Sequence, residues 1–255
     1  MFSEGDLVVI INDANNYIYK IREITDKVCL IGYSYRLVRY VDISEIRLAS
    51  IEEVNKENNV LKEVSSKIIN ANNIRNKKTL FGRILHIDGD KDYLESCLSL
   101  YKEMGIYAEA VYLPEKDVYK SIKDIILNIT PDIVVITGHD AYHGGDINNI
   151  DSYENTKYFI KTIREIRKLF SFDDVVIIAG ACESHFEALI ASGANYASSP
   201  KRINTHTYDP AVAAIKVAST SFDKIVNFDN ILKYIEAGRD AFGGIETKGK
   251  MRLLY

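Results

Sequence analysis

The chain has 255 residues, 47% of them hydrophobic, and a formal net charge of −4. This size predicts one medium domain, alone or with a small module, and the apolar fraction is enough to build a core. Because lysines and arginines are scattered singly along most of the chain, bulk charge does not favour binding to nucleic acid.

The N-terminal part of the chain is rich in short β-type segments. They cover residues 7–11, 17–24, 27–33, 35–41 and 45–48, and turn-forming residues separate them. Short strands packed this densely predict a small SH3-like β-barrel for residues 1–48. Such barrels more often dock partner proteins than carry out chemistry.

The next part of the chain, residues 49–80, is predicted to be a helical and flexible linker. Apolar residues recur at helical spacing over residues 50–75, which favours a connecting helix. The Asn-rich stretch 70–78 indicates flexibility. Its basic residues, near Arg75 and Lys78, make self-cleavage in this stretch a hypothesis.

Residues 81–255 alternate between strand and helix patterns. Strands are predicted at residues 83–88, 107–113, 132–136, 174–179 and 196–199, and helices at residues 90–104, 114–128, 155–170, 184–191, 209–220 and 230–237. Repeated strand–helix units predict an α/β domain with an open, mostly parallel sheet and helices on both faces, caspase-like or flavodoxin-like in type. Ligands of such sheets bind beyond the carboxyl ends of the strands.

Two of these strand ends are followed by reactive side chains. His139 comes after strand 132–136, and Cys182 comes after strand 174–179. If the two strands are parallel neighbours, an imidazole lies beside a thiol, which is the minimum for a cysteine nucleophile with its general base.

The local pattern around Cys182 favours an activated thiol. Ser184 and Glu187 fit a capping box, which would place the cysteine just before a helix N-terminus and stabilise the thiolate. The alternative is a small buried cysteine that only fills space. For His139, the alternative is a loop histidine bonded to a carbonyl group.

Other residues near these two could support catalysis. Main-chain groups and side chains for the oxyanion and for support are expected from Gly138, Asp140, Gly180 and Glu183. His185 and His143 are alternative bases.

Acidic residues at the same edge could bind a basic group. Asp88 and Asp90 follow the first strand of the α/β domain and could hold a basic group or a divalent metal, although Asp90 equally fits a helix cap. A basic substrate side chain could pair with Asp88, Asp140, Glu183 or Asp209, and the sequence does not choose among them. The predicted chemistry requires no metal and no organic cofactor.

The order of strand, histidine, strand and Ala-Cys resembles the caspase–gingipain type of cysteine peptidase. In those enzymes the histidine and cysteine end neighbouring parallel strands, and a glycine usually follows the histidine. Here Gly138 precedes His139 and Asp140 follows it, so the oxyanion donor would be the N–H group of Asp140.

Five longer segments, residues 85–90, 136–142, 179–187, 193–200 and 243–247, resemble the YabG family of sporulation-specific proteases. This resemblance implies an intracellular endopeptidase of spore-forming bacteria. It also implies that the protein substrates are spore coat and related spore proteins, with a preference for cleavage near basic residues.

The cysteines and apolar runs of the sequence indicate where the protein acts, and two further functional classes remain open. Three widely spaced cysteines, no secretory leader and no long apolar run predict a cytoplasmic protein with no membrane partner. The family resemblance adds association with the spore coat as an alternative location. An amidotransferase-like or deglycase-like hydrolase would use His185 or His206 as its base. A non-enzymatic scaffold for coat assembly would use the barrel for docking and Cys182 for packing.

Overall fold

Two main β-sheets organise the chain in a computed structural model, which describes residues 2–71 and 79–255. The stretch with the hypothetical self-cleavage site near Arg75 and Lys78 lies outside the described residues, so that hypothesis stays a prediction.

The N-terminal sheet has five antiparallel strands. They are β1 (Leu7–Ile10), β2 (Ile18–Ile24), β3 (Val28–Gly32), β4 (Val38–Val41) and β5 (Ile46–Leu48), in the order β4-β3-β2-β1-β5. All five predicted strands are therefore present. One boundary is wrong, because β4 begins at Val38, whereas a strand was predicted from residue 35.

Residues 35–37 leave the N-terminal sheet and contact the second sheet. Tyr35 forms an antiparallel bridge with His206, and Leu37 forms a parallel bridge with Asp140. The aromatic and apolar residues that resemble a strand thus find β-partners far away in the sequence. The N-terminal sheet consequently lies on one edge of the second sheet.

Helix α1 (Ile51–Ala71) follows, as predicted, and β6 (Thr79–Leu80) comes after it. The N-terminus of α1 is capped reciprocally by Ser50 and Glu53. The Glu53 N–H group donates to Ser50 Oγ at 3.2 Å, and the Ser50 N–H group donates to Glu53 Oε2 at 2.7 Å. Ile68 packs into the core of the second sheet, so this helix is anchored to the α/β part.

The second sheet alternates with helices along the chain. Its elements are β7 (Ile84–Asp88), α2 (Lys91–Glu103), β8 (Ala108–Tyr112), α3 (Glu115–Ile129), β9 (Ile133–Thr137), α4 (Thr156–Arg167), β10 (Val176–Ala179), α5 (Phe186–Ala191), β11 (Tyr196–Ser198), α6 (Asp209–Ser219), α7 (Phe228–Leu232) and β12 (Phe242–Gly244). A final strand, β13 (Arg252–Leu253), pairs with β6.

The strand order of this sheet is β12-β11-β10-β9-β7-β8. All strand pairs of this sheet are parallel except that of β11 with the edge strand β12. Strand β12 itself was not predicted from the sequence. Helices α2 and α6 pack on one face, and α3, α4 and α5 pack on the other. The predicted α/β sheet with helices on both faces is confirmed.

Throughout residues 2–71 and 79–255, each helix is too short or too polar to cross a bilayer.

The core of the second sheet permits a stability test. Ile177 lies in β10 and is 0% exposed. We expect Ile177→Ala to lower the free energy of unfolding by roughly 2–5 kcal/mol, because it leaves a cavity between the sheet and its helices. Urea unfolding followed by circular dichroism measures this change.

Ile147→Ala is the matched control, because Ile147 is 46% exposed and the same truncation there removes little buried surface. Equal unfolding midpoints for the two variants would contradict the assignment of β10 to the core.

Candidate active site

The two strands that carry the candidate pair are parallel neighbours, as predicted. Ile136 of β9 lies opposite Ala179 of β10. His139 and Cys182 follow these two paired residues at the same offset along the chain. Both residues therefore leave the sheet at the same edge and at the same level.

The Cys182 thiol is buried under the N-terminal sheet. It is 0% exposed and belongs to an apolar cluster that includes Leu30 and Leu37. The Thr205 N–H group donates to Cys182 Sγ at 3.1 Å. Burial raises the pKa of the Cys182 thiol to about 12. Burial therefore opposes formation of the thiolate in this conformation, and the expected help from a helix N-terminus is reduced because α5 (Phe186–Ala191) begins four residues after the cysteine.

His139 is held by a carboxylate that the sequence assigned mainly to helix capping. Its Nε2 atom lies 3.0 Å from Asp90 Oδ2, while its Nδ1 atom is buried and has no hydrogen-bond partner within the described residues. Asp90 Oδ1 also accepts the N–H groups of Asp92 and Tyr93, which caps α2. One side chain thus caps a helix and orients an imidazole.

The charge state of Asp90 suits this orienting contact. Burial alone would raise the pKa of the Asp90 carboxyl, but the hydrogen bond and charge of His139 outweigh burial, and the pKa falls below its ordinary value. Asp90 is therefore an anion, and it accepts a hydrogen bond from the Nε2–H group of the His139 ring.

Glu115 fixes the main chain just before the histidine. The His139 N–H group donates to Glu115 Oε1 at 2.7 Å. A Cβ atom at Gly89 or Gly138 would overlap the Glu115 carboxylate, so glycine at both positions leaves room for this contact. Glu115 could not be found from sequence, because its position at the start of α3 is typical of an exposed helix end.

Asp140 joins the histidine loop to the cysteine loop. It is 0% exposed, and Oδ2 accepts the Ser184 hydroxyl at 2.8 Å. Ser184 Oγ in turn accepts the Ala181 N–H group at 3.0 Å. Further donors to the carboxylate are the Asn155 N–H group and the Thr156 hydroxyl. Burial raises the pKa of Asp140 to about 6.

The predicted capping box at Ser184 is wrong, because its hydroxyl is committed to this link. Helix α5 begins at Phe186, and the His185 ring caps it by accepting the Ala188 N–H group at 3.3 Å. His185 Nδ1 also lies 3.3 Å from Glu187 Oε2. This alternative base therefore serves the helix end.

His143, the other alternative base, has a side chain 50% exposed on its loop, 3.9 Å from Glu154. His206, the base of the amidotransferase alternative, packs edge-on against Tyr35 with ring centroids 5.6 Å apart. Its Nδ1 atom accepts the Tyr208 N–H group at 3.2 Å, and burial lowers its pKa to about 4. The described contacts direct neither histidine to the thiol.

Two of the predicted supporting residues shape the cysteine loop. Gly180 has a φ of +106°, and a Cβ atom there would lie 2.9 Å from Leu189, so glycine is needed. Glu183 has a φ of +59°, which is uncommon for a residue with a side chain. Its N–H group donates to Ser199 Oγ at 3.0 Å, and its carboxylate pairs with Arg39 at 2.8 Å.

Asp88 binds a basic side chain of the chain itself. Its Oδ2 atom lies 2.7 Å from Arg36 Nη1, and both side chains are 0% exposed. Burial alone would raise the pKa of Asp88, but the charge of Arg36 outweighs it and the pKa lies well below its usual range. Arg36 was missed, since an arginine in a short strand is typical of a solvent-facing position.

Asp88 and Asp90 thus point to different partners, one to Arg36 and the other to His139. Within residues 2–71 and 79–255, no group of three or more His, Cys, Asp or Glu side chains is arranged to hold a metal ion.

The family described as YabG peptidase U57 matches residues 3–255 of the chain. The chain belongs to the YabG family. A sporulation-specific protease YabG of Bacillus subtilis (strain 168) is 42% identical over 175 residues, which are 68% of this chain and 60% of that protein. The chain thus spans about 60% of the length of this curated relative. No solved structure matches the chain.

The family match also includes the N-terminal sheet, which lies on the candidate site. The family match therefore covers both sheets.

The link between the two loops can be tested by removing one hydroxyl group. Ser184→Ala leaves the Ala181 N–H group and Asp140 Oδ2 each short of a partner, so we expect the free energy of unfolding to fall by roughly 1–3 kcal/mol. Urea unfolding at neutral pH measures the change.

Ser99→Ala is the control, because the exposed Ser99 hydroxyl donates only to the Glu95 carbonyl of its own helix. We expect a change of at most about 0.5 kcal/mol there. A Ser184 variant as stable as this control would disprove the structural importance of the link.

A second test concerns the buried carboxyl of Asp209, which accepts the His206 N–H group at 2.9 Å. Burial raises its pKa from 3.8 to about 7. Between these values the folded protein holds a proton that the unfolded chain releases, so this group lowers stability as pH rises. The loss amounts to roughly 4 kcal/mol at most.

Asp209→Asn removes this titration. We expect the stability of the wild type relative to the variant to fall between pH 4 and pH 7, as measured by urea unfolding at several pH values. Asp229→Asn is the control, because its side chain is 74% exposed. A difference between wild type and Asp209→Asn that does not vary with pH would contradict the shifted pKa.

Proposed function

We propose that the chain is a cysteine endopeptidase in which Cys182 is the nucleophile and His139 the general base. The observation that supports this assignment most directly is the pairing of β9 with β10, which sends both residues out at one sheet edge. Membership of a peptidase family supports the reaction class, and the curated relative is named as a protease.

Asp90 is the proposed orienting residue of the pair. When His139 Nε2 carries the ring proton and donates a hydrogen bond to Asp90, Nδ1 is left with a free lone pair, which a general base requires. The absence of any described hydrogen-bond partner at the buried Nδ1 atom agrees with this role. Asp90 itself stays ionised and stabilises the imidazolium that forms.

The proposed reaction follows from these roles. Nδ1 of His139 takes the thiol proton, Cys182 Sγ attacks the scissile carbonyl carbon, and the imidazolium then protonates the leaving amine. Water hydrolyses the resulting thioester. The proposed oxyanion donors are the main-chain N–H groups of Asp140 and Cys182, because those of His139, Ala181 and Glu183 donate to other protein groups. One such donor is typically worth about 3 kcal/mol.

The finer assignments from the sequence belong to this proposal. They are spore coat and other spore proteins as substrates, cleavage near basic residues, and action in the cytoplasm of the sporulating cell or at the spore coat. We also propose a caspase-like domain for residues 81–255, a linker at 49–80, and an SH3-like barrel for residues 1–48 that docks partner proteins.

A cleavage assay on a purified spore coat protein tests the catalytic assignment. We expect Cys182→Ala and His139→Ala each to abolish cleavage of the coat protein, because each removes a reacting group. Asp90→Asn should lower the rate about 100-fold or more, since it disturbs the tautomer and the charge of the base. His185→Ala is the matched histidine control and should retain activity within a few-fold.

Two outcomes would contradict the proposal. Cleavage that survives Cys182→Ala would favour the scaffold alternative or another nucleophile. Activity that depends on His206 and tolerates His139→Ala would favour the amidotransferase-like alternative.

A further inference from the structure

We call residues 34–37 the 34–37 segment. It lies along the carboxyl edge of the α/β sheet and forms main-chain hydrogen bonds like those of an added strand. The Arg36 N–H group donates to the Thr205 carbonyl at 3.1 Å, and the Thr207 N–H group donates to the Ser34 carbonyl at 3.0 Å. Between them, Tyr35 and His206 form an antiparallel bridge. Extended peptides bind to proteins through the same main-chain pattern.

This strand-like pairing lies next to the thiol, because Thr205 takes part in both. Its carbonyl accepts from Arg36, while its N–H group donates to Cys182 Sγ at 3.1 Å. On the other side, Leu37 forms a bridge with Asp140, the residue after the candidate base. The main chain at Arg36 and Leu37 thus lies between Thr205, which contacts the thiol, and the histidine loop.

The Arg36 side chain fills a pocket made of complementary groups. Nη1 lies 2.7 Å from Asp88 Oδ2, and Nη2 donates to the Thr207 carbonyl at 3.3 Å. Nη1 also lies 3.5 Å from the Gly138 carbonyl, and the guanidinium carbon is 5.0 Å from the centre of the Tyr93 ring. A carboxylate, carbonyl groups and an aromatic face together recognise a guanidinium.

A stabilising role alone does not account for this arrangement. A buried ion pair contributes little net stability, because removing both charges from water costs about as much as their attraction returns. Arg36 Nε also has no hydrogen-bond partner within the described residues. Apolar residues at both positions would pack the two sheets together at lower cost, whereas an arginine paired with a carboxylate suits a pocket that recognises arginine.

We propose that the 34–37 segment is bound in cis as a peptide ligand of the active site, with Arg36 in the pocket for a substrate arginine and Asp88 as the recognising residue. This proposal rests on the proposed function, since it takes the edge beside Cys182 as the substrate cleft. A substrate must then displace the segment. If the segment is docked in about 99% of the molecules, the apparent affinity for substrate falls about 100-fold.

Peptide binding in a Cys182→Ala background tests the proposal without any cleavage. The probe is a fluorescent hexapeptide with the sequence of residues 33–38, Tyr-Ser-Tyr-Arg-Leu-Val, followed by anisotropy. Three proteins are compared: Cys182→Ala alone, with Arg36→Ala, and with Arg47→Ala. Arg47 is the matched control, because it lies in the same sheet and its partly exposed side chain pairs with Glu53.

We expect the Arg36→Ala protein to bind the probe at least tenfold more tightly than the other two, because its own segment no longer fills the pocket. A probe with alanine in place of arginine should bind at least tenfold more weakly. Equal affinities of the three proteins for the probe would overturn the proposal. Equal affinities for the arginine and alanine probes would overturn it as well.

Arg36→Ala leaves Asp88 without its ion pair, so the variant could be too unstable to purify. In that case Arg36→Lys keeps the charge and loses the forked geometry, and we expect it to bind the probe at least threefold more tightly than the parent. Equal affinities of that variant and the parent would overturn the proposal equally.

The two proposals can fail separately. Normal probe binding together with cleavage that survives Cys182→Ala would remove only the catalytic assignment. Loss of cleavage in Cys182→Ala, with probe binding unaffected by Arg36→Ala, would remove only the cis ligand.

Discussion

The ion pair between Arg36 and Asp88 joins the two sheets at the point on which the candidate site depends. Both side chains are completely buried, and an isolated buried charge costs several kcal/mol, so each requires the other. Arg36 comes from the loop between β3 and β4, while Asp88 ends β7. Their contact fixes the N-terminal sheet over the carboxyl edge, and the environment of Cys182 follows from that position.

Under the N-terminal sheet, further contacts hold the two loops that carry the candidate pair. The link from Asp140 to Ser184 ties the two loops, and Glu115 holds the main chain at His139. Asp90 then sets the direction of the ring. Groups positioned by such buried, hydrogen-bonded neighbours keep the narrow geometry that catalysis requires.

Much of this arrangement could be predicted from sequence, and the rest could not for definite physical reasons. The strands and helices follow from apolar periodicity, and the neighbouring positions of His139 and Cys182 follow from the rules of parallel sheets. The 34–37 segment has the pattern of a strand, but its partners are more than a hundred residues away. Ser184 fits a cap locally, yet Asp140 takes its hydroxyl. Side-chain competition of this kind depends on tertiary contacts, which local sequence does not encode.

The contact that Thr205 makes with both Cys182 and Arg36 has a chemical consequence beyond substrate access. Oxidants and alkylating agents react with exposed thiolates, and a buried neutral sulfur reacts slowly. Because one residue holds the sulfur on one side and the Arg36 main chain on the other, departure of that chain would uncover the sulfur in the same event. In this conformation the Cys182 sulfur is thereby shielded from chemical damage.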